Sequence, residues 1–161
     1  MGAKCAYLRL GQLTLVENCS GLHLAALCHM APADPSPARA RILALQERTF
    51  EFACAVIEAY PPRGVLDEPS RIIWRELVKA AASSTFNLEE ADAASSDADF
   101  LAKMRIALRE AKEARVAIRM IVRCKLSGYQ TVARYEDEAK QLALIFGKII
   151  VNKRANMQSR P

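Results

Sequence analysis

An all-α fold is predicted for this chain, with four helices in an up-down-up-down bundle. Composition is the first reason, because 52% of the residues are hydrophobic but only 6% are aromatic, and the helix-favouring Ala and Leu are abundant. Apolar residues also recur every three or four positions, as they do on one side of a helix. Short turns separate the four helical stretches, and an up-down order is the simplest that such turns allow. The 161 residues suffice for one core without metals or disulfides.

An irregular N-terminal extension is expected over residues 1–37. It is either poorly ordered or the result of a mis-assigned translation start. This segment holds both histidines, three of the five cysteines and a proline-rich end over 31–37, which cannot continue a helix. Polar residues interrupt the apolar run that a secretory signal needs, and no run is long enough to span a bilayer. The bundle is expected over 38–154, followed by a frayed tail over 155–161.

The cysteines indicate the compartment. They are odd in number and contain no Cys-x-x-Cys pair, so we expect neither a disulfide framework nor a structural zinc site. A reducing, cytoplasmic location follows. One hypothesis is that translation begins at Met30 rather than at Met1.

The first helix is predicted over 38–60 and the second over 70–94. Ser36 is suited to cap the first helix, and Pro37 fits its first position, where a missing N–H costs nothing. Pro61 and the proline after it end this helix.

The third helix is predicted to begin after Ser96, which forms a capping box with Asp99. Gly128 can adopt the left-handed conformation that ends a helix, so the third helix should stop near 126–128. A fourth helix is expected over 131–153. Gly147 lies inside it and costs up to ~1 kcal/mol against Ala unless close packing requires it.

The third helix has two opposite faces. Its apolar face repeats at helical spacing and contains Phe100, Met104, Ala107, Ala111, Ala114, Ile118 and Ile121. Its other side carries cations at intervals of three and four, which we call the basic ridge: Arg105, Arg109, Lys112, Arg115, Arg119 and Arg123. The chain has a formal net charge of +5, and clustering of its cations on one face favours an acidic partner.

Two interpretations of the basic ridge stay open. In the first, the cations contact the phosphates of RNA or DNA with little base selectivity, because phosphate contacts carry no sequence information. Stacking aromatics would favour single-strand binding, but neither Trp74 nor any tyrosine lies on the ridge. In the second, the ridge is a solvated face or pairs with acidic residues of a neighbouring subunit.

The second and third helices carry fragments that resemble a known family. Asn87-Leu88-Glu89-Glu90-Ala91 is followed by Phe100 and by the run from Lys103 to Glu113, KMRIALREAKE. Their order and separation are similar to those of the four-helix bundle proteins encoded in intervening sequences of bacterial 23S ribosomal RNA genes. The resemblance extends over 42–153. The residues that carry it are expected to be structural: Asn87, Glu90, Phe100, Glu110 and Glu113.

The resemblance implies a left-handed bundle that assembles into a ring-like homopentamer in the bacterial cytosol and has no established enzymatic activity. A glycine often follows the family's Asn-x-x-Glu, where this chain has Ala91. Self-association is also expected from the residues themselves. Leu101, Leu108, Val116 and Met120 lie among or beside the ridge cations and would form exposed apolar patches in a monomer.

No catalytic chemistry is predicted. A carboxylate metal site in a bundle needs Glu-x-x-His pairs, and no histidine follows His29. Glu110 and Glu113 are expected to pair with neighbouring cations instead. The sequence also lacks a glycine-rich phosphate loop, a nucleophile elbow and a zinc-protease motif. We therefore predict a non-enzymatic protein without metal, cofactor or small-molecule substrate, and a scaffold or protein-interaction module is the alternative to nucleic-acid binding.

Overall fold

The computed structural model describes residues 36–62 and 64–159. These residues contain six helical elements and no strand. In chain order they are α1 (Pro37–Glu58), α2 (Glu68–Asp92), α3 (Asp97–Arg123), α4 (Tyr129–Val132), a 3-10 helix (Ala133–Tyr135) and α5 (Glu136–Gln158). The predicted all-α class is confirmed for this part of the chain. The predictions for residues 1–35, including a start at Met30, lie outside the described residues.

Local capping sets the start of α1 and α2. The Ser36 hydroxyl accepts a hydrogen bond of 3.3 Å from the backbone N of Arg39, as predicted. The second helix begins two residues earlier than expected. The reason is that Asp67 caps the helix: its carboxylate accepts a 3.0 Å bond from the backbone N of Ser70, and Pro69 sits in the first turn.

The capping box predicted for α3 is present. The backbone N of Asp99 donates to the Ser96 hydroxyl at 3.1 Å, and the Asp99 carboxylate accepts from the backbone N of Ser95 at 3.4 Å. Asp97 and Asp99 also place negative charge at the positive end of the helix.

The end of α3 differs from the prediction. Lys125, not Gly128, takes the left-handed conformation that closes the helix, with φ +52°. The backbone N of Lys125 donates to Val122 O at 3.2 Å and that of Leu126 to Ile121 O at 3.0 Å, the paired bonds of a Schellman motif. Gly128 is also left-handed, at φ +80°, but it precedes α4.

The predicted fourth helix is divided into α4, a 3-10 turn and α5. Three consecutive acidic residues, Glu136 to Glu138, form the first turn of α5, and they favour a helix start there because they face the positive end of the helix. The helix extends past Lys153 to Gln158, since neither Gly nor Pro interrupts its last turns and Ser159 N still bonds to Ala155 O at 3.1 Å.

The core lies between the four long helices. Its largest fully buried side chains include Trp74, Leu77, Met104, Ile118, Ile121, Leu142 and Phe146. The predicted apolar face of α3 is buried, apart from Phe100, which is half-buried. Leu101 is also buried, although the helical wheel placed it beside the ridge. Near it, an ion pair of 2.6 Å between Lys153 and Asp97 holds the end of α5 against the start of α3.

Contacts among the long helices are unequal. The most extensive lie between α2 and α3, followed by α3 with α5 and α1 with α2, whereas α1 and α5 touch only slightly. Ion pairs join the ends: Arg39 in α1 lies 2.6 Å from Asp92 in α2, and Lys103 in α3 lies 2.5 Å from Glu90 in α2. The arrangement is consistent with a four-helix bundle, in which α3 touches two long neighbours and exposes the side that faces neither.

Candidate nucleic-acid interface

All six cations of the basic ridge lie on the outer side of α3. Five are exposed, and Arg115 is half-buried. They are spread over 19 residues without a Gly or Pro, and the 18 steps from the first to the last correspond to about 27 Å of continuous helix. The predicted ridge is therefore one uninterrupted surface feature of the chain.

Carboxylates neutralise part of the ridge. Arg109 donates to Glu110 at 2.9 Å and lies 3.6 Å from Glu113, four residues further along. The hydrogen bond to Glu110 raises the pKa of Arg109. The expectation that Glu110 and Glu113 pair with neighbouring cations is confirmed.

Glu136, at the start of α5, lies between two further cations. Its carboxylate is 3.6 Å from Nη2 of Arg115 and 3.7 Å from Nε of Arg119. Both distances are too long for a hydrogen bond, so the carboxylate compensates charge without fixing either side chain. Nε of Arg115 is buried and has no hydrogen-bond partner among the described residues.

The remaining cations are uncompensated. Within 36–62 and 64–159, no carboxylate lies within ion-pair distance of Arg105, Lys112 or Arg123. Six cations against three carboxylates, Glu110, Glu113 and Glu136, leave three positive charges on the ridge. The ridge thus keeps an attractive field for anions, at about half its formal strength.

A groove between α3 and α5 adds a cation that the sequence did not reveal. Lys140 of α5 lines it together with Lys112, Arg115 and Arg119 of α3, and we call it the cationic groove. Its apolar lining comes from Val116, Ala143 and Leu144. Lys140 lies four residues after Glu136, but only the register between α3 and α5 brings it to the ridge.

The other flank of the ridge is mainly apolar. Between α2 and α3, a second groove is lined by Ile73, Val116, Ala117 and Met120, with Arg109, Lys112, Glu76 and Glu113 at its edges. We call it the apolar groove. Val116 and Met120 are each 46% exposed, as the sequence predicted for these two residues. The ridge is therefore flanked by one groove whose charged residues are all cations and by another in which two cations and two carboxylates border an apolar floor.

The residues that carry the family resemblance bond within the chain. Asn87 donates to Ser83 O of its own helix at 2.9 Å, and Glu90 pairs with Lys103 across α2 and α3. The Phe100 ring lies beneath the ammonium of Lys153, at 5.2 Å. Glu110 and Glu113 contact Arg109, as described. A structural role for these five residues stays a prediction.

The described residues contain neither a metal cluster nor a membrane span. No group of three or more His, Cys, Asp or Glu side chains with the arrangement of a metal site occurs between 36 and 159, position 63 aside. Among the described helices, none combines the length and the apolar character that crossing a bilayer requires.

Comparison with known proteins gives one result on the fold. No protein-family model matches the sequence, and no curated protein matches it. A solved structure from Bacteroides thetaiotaomicron, described as a protein of unknown function from the S23 ribosomal protein family, is similar to this chain with a TM-score of 0.58 and 22% sequence identity. The likeness covers 68% of this chain and 96% of that one. The two proteins share a fold.

Proposed function

We propose that this chain is a non-enzymatic, homo-oligomeric bundle protein that binds the phosphate backbone of RNA or DNA through the basic ridge and the cationic groove. The observation that carries the proposal is the convergence of Lys112, Arg115, Arg119 and Lys140 on one open groove. Two further cations on the ridge, Arg105 and Arg123, lack carboxylate partners among the described residues. Cations at helical spacing suit a chain of phosphates, since backbone contacts need charge and position but no base recognition.

We also propose a relationship to the proteins encoded in 23S ribosomal RNA intervening sequences. The fold shared with the S23 family structure supports it, as do the sequence fragments around Asn87 and Phe100. From this resemblance come a left-handed up-down-up-down bundle, a ring-like pentamer and a bacterial cytosolic location. The ion pairs Arg39 with Asp92 and Lys103 with Glu90 support the up-down order, because each joins the start of one helix to the end of its neighbour.

Salt dependence provides the main test. Binding of the full chain to short labelled RNA and DNA duplexes is measured by fluorescence anisotropy over about 50 to 200 mM salt, a range in which several phosphate contacts cause a steep loss of affinity. The double variant Arg119→Ala, Lys140→Ala removes two groove cations. We expect weaker binding and a salt slope that is shallower by about one for each phosphate that is no longer bound.

A matched control removes the same charge elsewhere. Arg75 and Lys79 are exposed on α2, away from the ridge. The double variant Arg75→Ala, Lys79→Ala lowers the net charge equally and should leave affinity and slope nearly unchanged. Equally weakened binding in both variants would mean that net charge alone attracts nucleic acid, which contradicts a specific groove.

A protein-interaction module is the second candidate. Exposed apolar side chains favour it: Val116 and Met120 on α3, and Leu144 on α5, which is 64% exposed. An apolar centre surrounded by polar or charged side chains is typical of surfaces that bind another protein. Absent or salt-insensitive binding to both duplexes would favour this function over the first.

A further inference from the structure

The outward side of α1 combines exposed apolar residues with unpaired carboxylates. Leu43, Phe50 and Ile57 recur every seven residues, so they follow one stripe of the helix, and they are 43%, 46% and 50% exposed. The core residues of α1, such as Phe52 and Val56, point the other way, since both are buried. The stripe is therefore on the side of α1 that no other described helix covers.

Three glutamates border this stripe: Glu47, Glu51 and Glu58. They surround Cys54, whose pKa is raised first by burial and then by the negative charges of Glu51, Glu58 and Glu47. Among the described residues, none of the three has an ion-pair partner. We call the stripe and its carboxylates the acidic face of α1.

The apolar groove between α2 and α3 has two cations and two carboxylates at its edges. Ile73, Val116 and Met120 provide apolar surface, and Lys112 at its edge lacks a carboxylate partner in the described chain. Arg119 and Arg123 border Met120 on its far side, where they line a shallow depression with it. Glu76 and Glu113 at the groove's edge are already paired, with Lys79 and Arg109. The unpaired cations Lys112 and Arg123 thus match the unpaired glutamates of α1, and the apolar residues of the groove match the stripe.

We propose that the acidic face of α1 in one copy of this chain docks into the apolar groove of a second copy, head to tail. An apolar centre with a charged rim is the usual composition of such interfaces. The two surfaces lie on different helices and differ in charge, so they complement each other but not themselves. An interface of this kind is heterologous, and its repetition closes a ring or continues as a filament.

Lys112 and Val116 line both grooves, so docking covers one edge of the cationic groove, whereas Arg115 and Lys140 line the cationic groove alone and stay accessible. The inference rests on the self-association proposed above and is independent of nucleic-acid binding. A monomeric wild-type chain would contradict both self-association and this interface. Failure to bind nucleic acid would, by itself, leave the interface unaffected.

The test uses two variants of the full chain, each with one damaged surface. Phe50→Arg damages the acidic face, and Met120→Glu damages the apolar groove. Sedimentation should show that each variant alone dissociates at roughly tenfold or more higher concentration than the wild type, as expected when a central interface residue is replaced. An equimolar mixture should form a heterodimer and stop there, because one intact face meets one intact groove.

Phe86→Arg is the matched control, since Phe86 is a 64% exposed phenylalanine outside both surfaces. It should keep the wild-type mass. Wild-type mass for Phe50→Arg and Met120→Glu would overturn the proposal, as would a mixture that stays monomeric. Circular dichroism checks helicity, and Ile57→Arg with Val116→Glu replaces any variant that fails to fold.

Discussion

The indole Nε1 of Trp74 donates a hydrogen bond of 2.7 Å to the backbone oxygen of Ser127 and thereby ties α2 to the loop after α3. Trp74 is fully buried, and Tyr60 packs edge-on against its ring at 5.7 Å. A second bond supports the same junction, since the backbone N of Ser127 donates to the Ser70 hydroxyl at 3.2 Å. The position of this loop therefore depends strongly on α2.

Replacement of Trp74 by Phe should destabilise the protein by about 2 to 4 kcal/mol. The change leaves Ser127 O without its donor and creates a cavity where the indole was. Urea unfolding followed by circular dichroism measures the effect, since Trp74 is the only tryptophan and its fluorescence disappears with it. Phe86→Leu, at an exposed position, serves as a control and should change stability by about 0.5 kcal/mol or less. A small effect of Trp74→Phe would show that the loop is held by other interactions.

Gly128→Ala should be more destabilising than Gly64→Ala. Both glycines have left-handed φ angles, +80° and +91°, where a side chain costs about 1 to 2 kcal/mol. A Cβ on Gly128 would also lie 2.8 Å from Cγ of Pro61 and 3.0 Å from the Trp74 ring, whereas one on Gly64 has nothing within 4 Å. The difference between the two variants in free energy of unfolding isolates the steric part. Equal destabilisation would mean that Pro61 moves aside freely.

Low pH should destabilise the first turn of α2 in the wild type more than it does in the variant Asp67→Asn. The hydrogen bonds from Ser70 lower the pKa of Asp67 below its ordinary value of 3.8. A carboxylate with a lowered pKa stabilises the fold above that ordinary value, and the contribution disappears as pH falls through the folded-state pKa. Asn caps a helix without titrating. Urea unfolding of both proteins is measured at neutral and acid pH. The free energy of unfolding of the wild type should fall relative to that of Asp67→Asn as the pH is lowered, and a constant difference between the two would contradict this role.

Glu136→Gln should tighten binding to RNA and DNA duplexes. The change removes the carboxylate between Arg115 and Arg119, so the cationic groove gains one unit of positive charge without a change in size. One additional effective phosphate contact steepens the salt slope by about 0.9 on DNA. Glu76→Gln, on α2, is the control with the same charge change outside this groove. Unchanged affinity for Glu136→Gln would argue against phosphate binding at Arg115 and Arg119.

Features set by neighbouring residues were predictable from the sequence. The Ser36 cap, the capping box at Ser96 and the apolar face of α3 depend on spacing within one helix, and the structure contains all three. The left-handed position after α3 was assigned to Gly128 on residue type, but the backbone places it at Lys125, four residues after Ile121. Glycine preference is a weak guide where a Schellman motif fixes the closing residue.

Only part of the candidate nucleic-acid interface could be predicted from the sequence. Periodicity within α3 gives the ridge, but it cannot tell which cations meet carboxylates of another helix, as Arg115 and Arg119 meet Glu136. Lys140 joins the groove only through the register of α5 against α3. Burial of Leu101 was missed for the same reason, because it reflects a tertiary neighbour rather than the pattern of its own helix.

The helix α3 is continuous from Asp97 to Arg123 and is therefore rigid. Buried alanines at 107, 111 and 114 seat it against its neighbours, and no hinge residue occurs between Arg105 and Arg123. The charges it displays therefore stay at set intervals. A polyanion that follows the basic ridge must bend or twist until its charges match the spacing of the cations. The flexibility of the polyanion, rather than adjustment by the protein, would then decide which polymers bind.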